Sequence, residues 1–157
     1  MRNYIRVIVL SMKFLFSTSV CVAAEESPVG EWLVKDKTAH IRILTCDKAL
    51  WGIISWVETP GADTNNPDIS KRNRPILGLP ILLGLQPGKE REWDGNIYNA
   101  DNGKTYKGNI RMKSENVLYV AGCVLGGLIC GGEDWTRMQP SPDPAVSDST
   151  CRQLDTM

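Results

Sequence analysis

The chain has 157 residues, 18 Lys and Arg balanced by 18 Asp and Glu, and 42% hydrophobic content, which bounds it to one domain. Its basic residues are scattered rather than striped, which argues against nucleic-acid binding. Widely spaced cysteines and a single histidine, His40, argue against zinc.

Residues 1–24 read as a signal peptide. Arg2 and Arg6 give a positive start, an apolar stretch follows on both sides of Lys13, and Val22-Ala23-Ala24 is a small-residue cleavage site before Glu25. The apolar stretches fall short of the ~20 residues that span a bilayer, so cleavage is favoured over an anchor. Acylation at Cys21 is disfavoured because bulky Val20 precedes it. The signal holds three of the 18 Lys and Arg and none of the acids, so the remainder carries three net negative charges. No later run is long and apolar enough for stable membrane insertion. Cleavage also leaves Cys46, Cys123, Cys130 and Cys151, an even set that points to disulfides in an oxidising compartment. Four cysteines allow three pairings, and the spacing leaves all three open.

From residue 25 onward the dominant period is two. Gly30-Glu31-Trp32 opens a first strand. Residues 38–46 alternate, with Ile41 and Ile43 on one face and His40 and Arg42 on the other. Residues 50–58 are rich in β-branched and aromatic side chains. Residues 59–75 form a long polar loop. Residues 76–85 are apolar but broken by Gly78, Pro80 and Gly84; a strand is expected over 81–85. Further strands follow at 92–98, 104–112 and 116–122, and Trp135-Thr136-Arg137 closes the last. Asp101-Asn102-Gly103 is a hairpin signal, because Asn-Gly readily supplies left-handed backbone. The glycine-rich segment 122–132 reads as a hairpin or bulged corner flanked by Cys123 and Cys130, which would staple it if paired. Residues 139–157 read as a flexible tail that Cys151 could tether. Short strands joined by hairpins predict an all-β fold over residues 25–138, an antiparallel meander closing as a barrel or a sandwich.

The pairing of Gly30-x-Trp32 with a terminal Arg137 resembles the signature of the lipocalin and calycin barrels, in which the arginine covers the tryptophan ring at the closed end. The resemblance implies structural closure by Gly30, Trp32 and Arg137. Residues 30–137 also resemble the DUF2147 family of bacterial exported proteins. The resembling features are Cys46 with Leu50-Trp-Gly-Ile-Ile-Ser-Trp56, Asp63-x-Asn-Asn-Pro-Asp68 with Arg74-Pro75, Trp93-x-Gly-x-Ile-Tyr98, Asp101-x-Gly-Lys-Thr-Tyr106 and Trp135-Thr-Arg137. Members of that family often carry a cysteine where Trp51 stands. Its lack here implies a partner for Cys46 at Cys123 or Cys130. The resemblance implies a lipocalin-like fold, an antiparallel up-and-down β-barrel of about 8–10 strands, and a periplasmic or secreted location, and brings no activity.

Both phenylalanines fall in the signal, so the large core residues are five tryptophans and three tyrosines. Most of the tryptophans are expected to fill the core, while Trp51, Trp56, Trp93 and Tyr119 are candidate walls of a ligand cavity, with 76–85 as its lid. The oxygen-rich 63–68 loop lacks the ordered spacing of a calcium loop, so no metal is expected there. Glu90, Glu92, Asp94 and Asp101 read as exposed hairpin carboxylates, and no nucleophile motif accompanies His40, so no catalytic residue and no cofactor is expected. The reading is an exported binding module for a small apolar or amphipathic ligand. The alternative is an envelope or host-interaction protein with a filled barrel, whose 63–75 loop binds another macromolecule.

Overall fold

A computed structural model describes residues 27–139 together with Cys151 and Leu154. The expected signal at 1–24 and most of the 139–157 tail lie outside the described residues. Eight strands follow in chain order: β1 Gly30–Leu33, β2 Ala39–Cys46, β3 Ala49–Val57, β4 Pro80–Pro87, β5 Glu92–Asn99, β6 Lys104–Ser114, β7 Val117–Val124 and β8 Ile129–Arg137. Each pairs antiparallel with the next, and β1 pairs with β8 through Trp32 opposite Arg137, so the sheet closes into an up-and-down barrel. Closure leaves no unpaired edge.

Alternation fills the inside. Trp32, Ile41, Ile43, Leu50, Leu82, Leu85, Ile110, Met112, Leu118 and Trp135 form one buried cluster. The two ends differ. The start of β1, the end of β8 and the β2–β3, β4–β5 and β6–β7 turns gather at one end; the β1–β2, β3–β4, β5–β6 and β7–β8 connections gather at the other.

Two expectations change here. Residues 80–85 belong to the barrel wall as β4, and Leu79, Leu82 and Leu85 are fully buried, so this apolar stretch is core and wall rather than a lid. Apolarity on a half-buried strand and on a lid look alike in sequence; the pairing of Leu82 with both Gly52 and Ile97 decides between them. Cys46 bonds Cys151, not Cys123 or Cys130, which bond each other. Cys123 and Cys130 sit directly opposite in the β7–β8 register, which commits them to one another. Cys46 faces outward at the end of β2, and the chain beyond β8 returns to that face. There Leu154 packs with Leu44 and Cys46, flanked by Trp51 and Ile53.

The 58–79 connection is pinned, not loose. An isolated bridge joins Ala62 to Pro75, and a short 3-10 turn spans Ile69–Lys71, capped by the Asp68 carboxylate. The Asp101–Gly103 hairpin packs directly beneath it. Gly103 has φ 67°, and a Cβ there would lie 1.8 Å from the Asn65 carbonyl oxygen, so both the turn and the close approach require glycine.

Candidate ligand-binding site

The barrel is filled at one end and hollow at the other. At the filled end Trp32 is fully buried and its Nε1 donates to the Pro28 carbonyl at 2.8 Å. The Arg137 guanidinium lies 4.2 Å over the Trp32 ring. It donates to the carbonyls of Glu115 (2.6 Å), Val29 (2.9 Å) and Ser27 (2.6 Å). A flat guanidinium can stack and donate in its own plane at once, which ammonium cannot. Gly30 makes room for it: its φ is 133°, and a Cβ there would sit 2.8 Å from Arg137 Nη1.

At the other end a cavity of about 690 Å³ opens between the loops. Ala39 and Ile41 of β2, Ile54 and Val57 of β3 and Ile97 of β5 give it an apolar floor and walls. A second lobe of about 490 Å³ shares Ile97, Asn99 and Glu133 with the first and extends along Tyr106, Val120, Gly122, Val124 and Ile129. Volumes of this order suit a small ligand.

Glu133 stands at the junction of the two lobes. It alternates along β8 with Trp135, a buried core residue, and lies opposite Val120 in the register. The Trp135 indole Nε1 donates to its carboxylate at 2.7 Å, which fixes the side chain. The remaining lone pairs of an ionised carboxylate can only accept. The mouth carries more acid than base: Asp36, Glu58 and Asp101 line the first lobe, and Lys35 lines the second. The Thr38 hydroxyl, and after it the Thr38 amide, hold the Asp36 carboxyl below its ordinary value.

The polar loop braces one side of the mouth. Asp63 is fully buried, accepting from the Tyr98 hydroxyl (2.6 Å), Asn66 Nδ2 (2.7 Å) and Arg74 Nε (2.9 Å). Arg72 Nε donates to the Asn66 carbonyl at 2.7 Å. The loop's oxygens therefore serve the protein's own donors, and Ala62, Thr64, Asn65 and Ile76 are held against the cavity. Burial, and next the Asp63 carboxylate, push the Tyr98 phenol above its ordinary value. A raised folded-state value favours the neutral phenol. The stability it adds is complete below about pH 10, the unfolded phenol value, and is lost as pH rises through the folded value. An ultraviolet phenolate titration should therefore show a late-ionising component that vanishes in Tyr98→Phe; its persistence in that variant, or its absence from wild type, would contradict this.

None of the four expected wall residues lines the mouth. Trp51 points outward, toward Leu44, Cys46 and Leu154. Trp56 is exposed and meets His40 in a tilted ring contact at 4.6 Å, because a register shift between His40 and Ile41 puts Ser55 and Trp56 together on the outer face. Tyr119 lies outside under Arg111 and Lys113. Trp93 packs against the core, opposite Ile110 at the filled end. Glu133 went unsought, although its spacing from Trp135 and Arg137 places it on their face. Of the sequence's hairpin carboxylates, Asp101 reaches the rim; Asp94 lines a separate groove on the β5–β6 face.

Comparison with known proteins bears on this architecture. Residues 30–137 match the family model described as "Uncharacterized protein conserved in bacteria (DUF2147)". Among solved structures the chain is similar to that described as "Protein HP1028 from the human pathogen Helicobacter pylori belongs to the lipocalin family". The two share 19% identity and a TM-score of 0.64, over 81% of this chain and 88% of that one. At that identity the likeness concerns the fold, a lipocalin-like barrel. No curated protein sequence gives a significant match.

Proposed function

The chain belongs to the DUF2147 family of bacterial proteins, and we propose that it is an exported binding protein holding a small amphipathic ligand in the open mouth of its barrel. One observation carries this reading: a cavity of about 690 Å³ with aliphatic side chains on its barrel walls, an acidic rim of Asp36, Glu58 and Asp101, and the Glu133 carboxylate fixed at its inner wall. The apolar part of the ligand would rest on Ile41, Ile54, Val57 and Ile97. Its polar end would donate to Glu133, because an ionised carboxylate has only acceptors to offer. The acidic rim disfavours a fatty-acid carboxylate and favours an ammonium or hydroxyl head group. The alternative, macromolecule binding through the 63–75 loop, draws less support, since that loop turns Asp63, Asn66 and Arg74 inward onto Tyr98. Two disulfides fit an oxidising location outside the cytoplasm, in keeping with a periplasmic or secreted role.

The test is competition against a polarity-sensitive dye bound in the barrel, using dodecylamine, dodecanol and laurate. Wild type should bind dodecylamine most tightly and laurate least. Glu133→Gln should weaken dodecylamine about tenfold or more, the loss of one charge-assisted contact, and leave dodecanol nearly unchanged. Absence of saturable binding, or equal affinities that Glu133→Gln does not alter, would contradict the reading.

A further inference from the structure

The β7–β8 hairpin ends in a segment for which neither folding nor packing gives a reason. From Gly122 to Gly132 the sequence has no charged residue, only aliphatics, glycines and two cysteines. At its tip Val124 is 43% exposed, Leu125 69%, Leu128 85% and Ile129 59%. These side chains lie close in sequence on one turn, closed by the Cys123–Cys130 disulfide. Leu125 also holds φ at 51°, a left-handed conformation in which leucine is costly and glycine or asparagine is preferred. A leucine that is exposed and locally disfavoured is explained by something outside the chain.

We propose that this hairpin tip is a membrane-docking loop that seats the barrel mouth on a lipid surface. Size argues for a bilayer over a protein partner. A stable protein interface takes about 20–30 residues a side, more than one hairpin tip offers, whereas a bilayer accepts a single narrow apolar protrusion. Position argues the same way. Val124 and Ile129 continue directly into the wall of the second cavity lobe, so lipid meeting the tip would meet the mouth as well. Charge around the tip is mixed. Lys35 lines that lobe and Lys107 lies opposite Cys123 in the register, placing amines beside the tip for phosphate head groups; the acids Glu133, in the same lobe, and Asp94, in the neighbouring groove, leave the apolar side chains to carry the contact. Two glycines within the tip, Gly126 and Gly127, have open space where a side chain would be, so nothing among the described residues covers them.

The experiment is flotation of the disulfide-intact protein with vesicles of phosphatidylethanolamine and phosphatidylglycerol, free of added ligand. Wild type should float with the vesicles. Leu125→Gln/Leu128→Gln, neutral and outside the core, should bind at least about tenfold more weakly while unfolding at the wild-type midpoint. Leu128→Phe should bind at least as well as wild type. Wild type that floats but shows no saturable dodecylamine binding would sink the ligand reading alone, which keeps the two proposals distinguishable. Wild type remaining in the soluble fraction would overturn the proposal, as would equal flotation of the double Gln variant. Self-association of wild type in size-exclusion chromatography, abolished by the same double variant with no effect on flotation, would reassign the tip to contact between copies and overturn it too.

Discussion

Asp63→Ala should cost the folded barrel about 3–5 kcal/mol, read as a lower urea midpoint at unchanged slope. The carboxylate is fully buried and is the shared acceptor of Tyr98, Asn66 and Arg74. Truncating it leaves the buried Tyr98 hydroxyl and Asn66 amide without their acceptor and removes the partner of Arg74, whose side chain is only partly buried. The cost of such truncation is the stranded partners more than the lost pair itself. Asp63→Ala/Arg74→Ala should therefore lose less than the two single losses combined, because the double variant leaves no buried charge behind. A loss below about 1 kcal/mol in Asp63→Ala, or strict additivity, would mean that the loop is not held by this network.

Removing the Cys46–Cys151 bridge should cost about twice as much as removing Cys123–Cys130. The first spans 105 residues of sequence and the second 7. In the chain-entropy account those loops correspond to about 4.7 and about 2.4 kcal/mol of denatured-state restriction. The long bridge has a second effect: it holds Leu154 against Leu44, and releasing it exposes that outer apolar patch. Urea unfolding of Cys46→Ala/Cys151→Ala and of Cys123→Ala/Cys130→Ala gives the comparison. Equal losses, or a larger one for the short bridge, would contradict it.

Period-two alternation made most of the barrel legible, because each strand has one face in the core. Ile41 and Ile43, Ile110 and Met112, and Leu118 and Val120 all lie inward in the structure. The turn at Asp101–Gly103 was equally readable, since its chemistry is local. What depended on register was not. The extra residue at Ser55 turns Trp56 outward, and no feature of that segment announces a bulge. Nor does spacing reveal that the chain returns after β8 to the outer face of β2, which decides the partner of Cys46. The site itself was half legible. Trp51, Trp56, Trp93 and Tyr119 drew attention as ligand walls, yet the mouth is built from aliphatic and polar side chains with Tyr98 and Tyr106, while those four sit at the filled end or outside. Glu133 was within reach: it shares a face with Trp135 and Arg137, and a carboxylate on an inward face has few structural reasons to be there.

The central claim is that the mouth, and not the outer wall, holds a ligand with its polar end at Glu133. It is tested most directly by following backbone amide resonances while dodecylamine is added. The account predicts saturable shifts at Ile41, Ile54, Ile97 and Glu133, the Trp135 indole proton moving with them, and little change at Trp93 or around Trp51. Shifts confined to the outer face, or none at ligand excess, would contradict it.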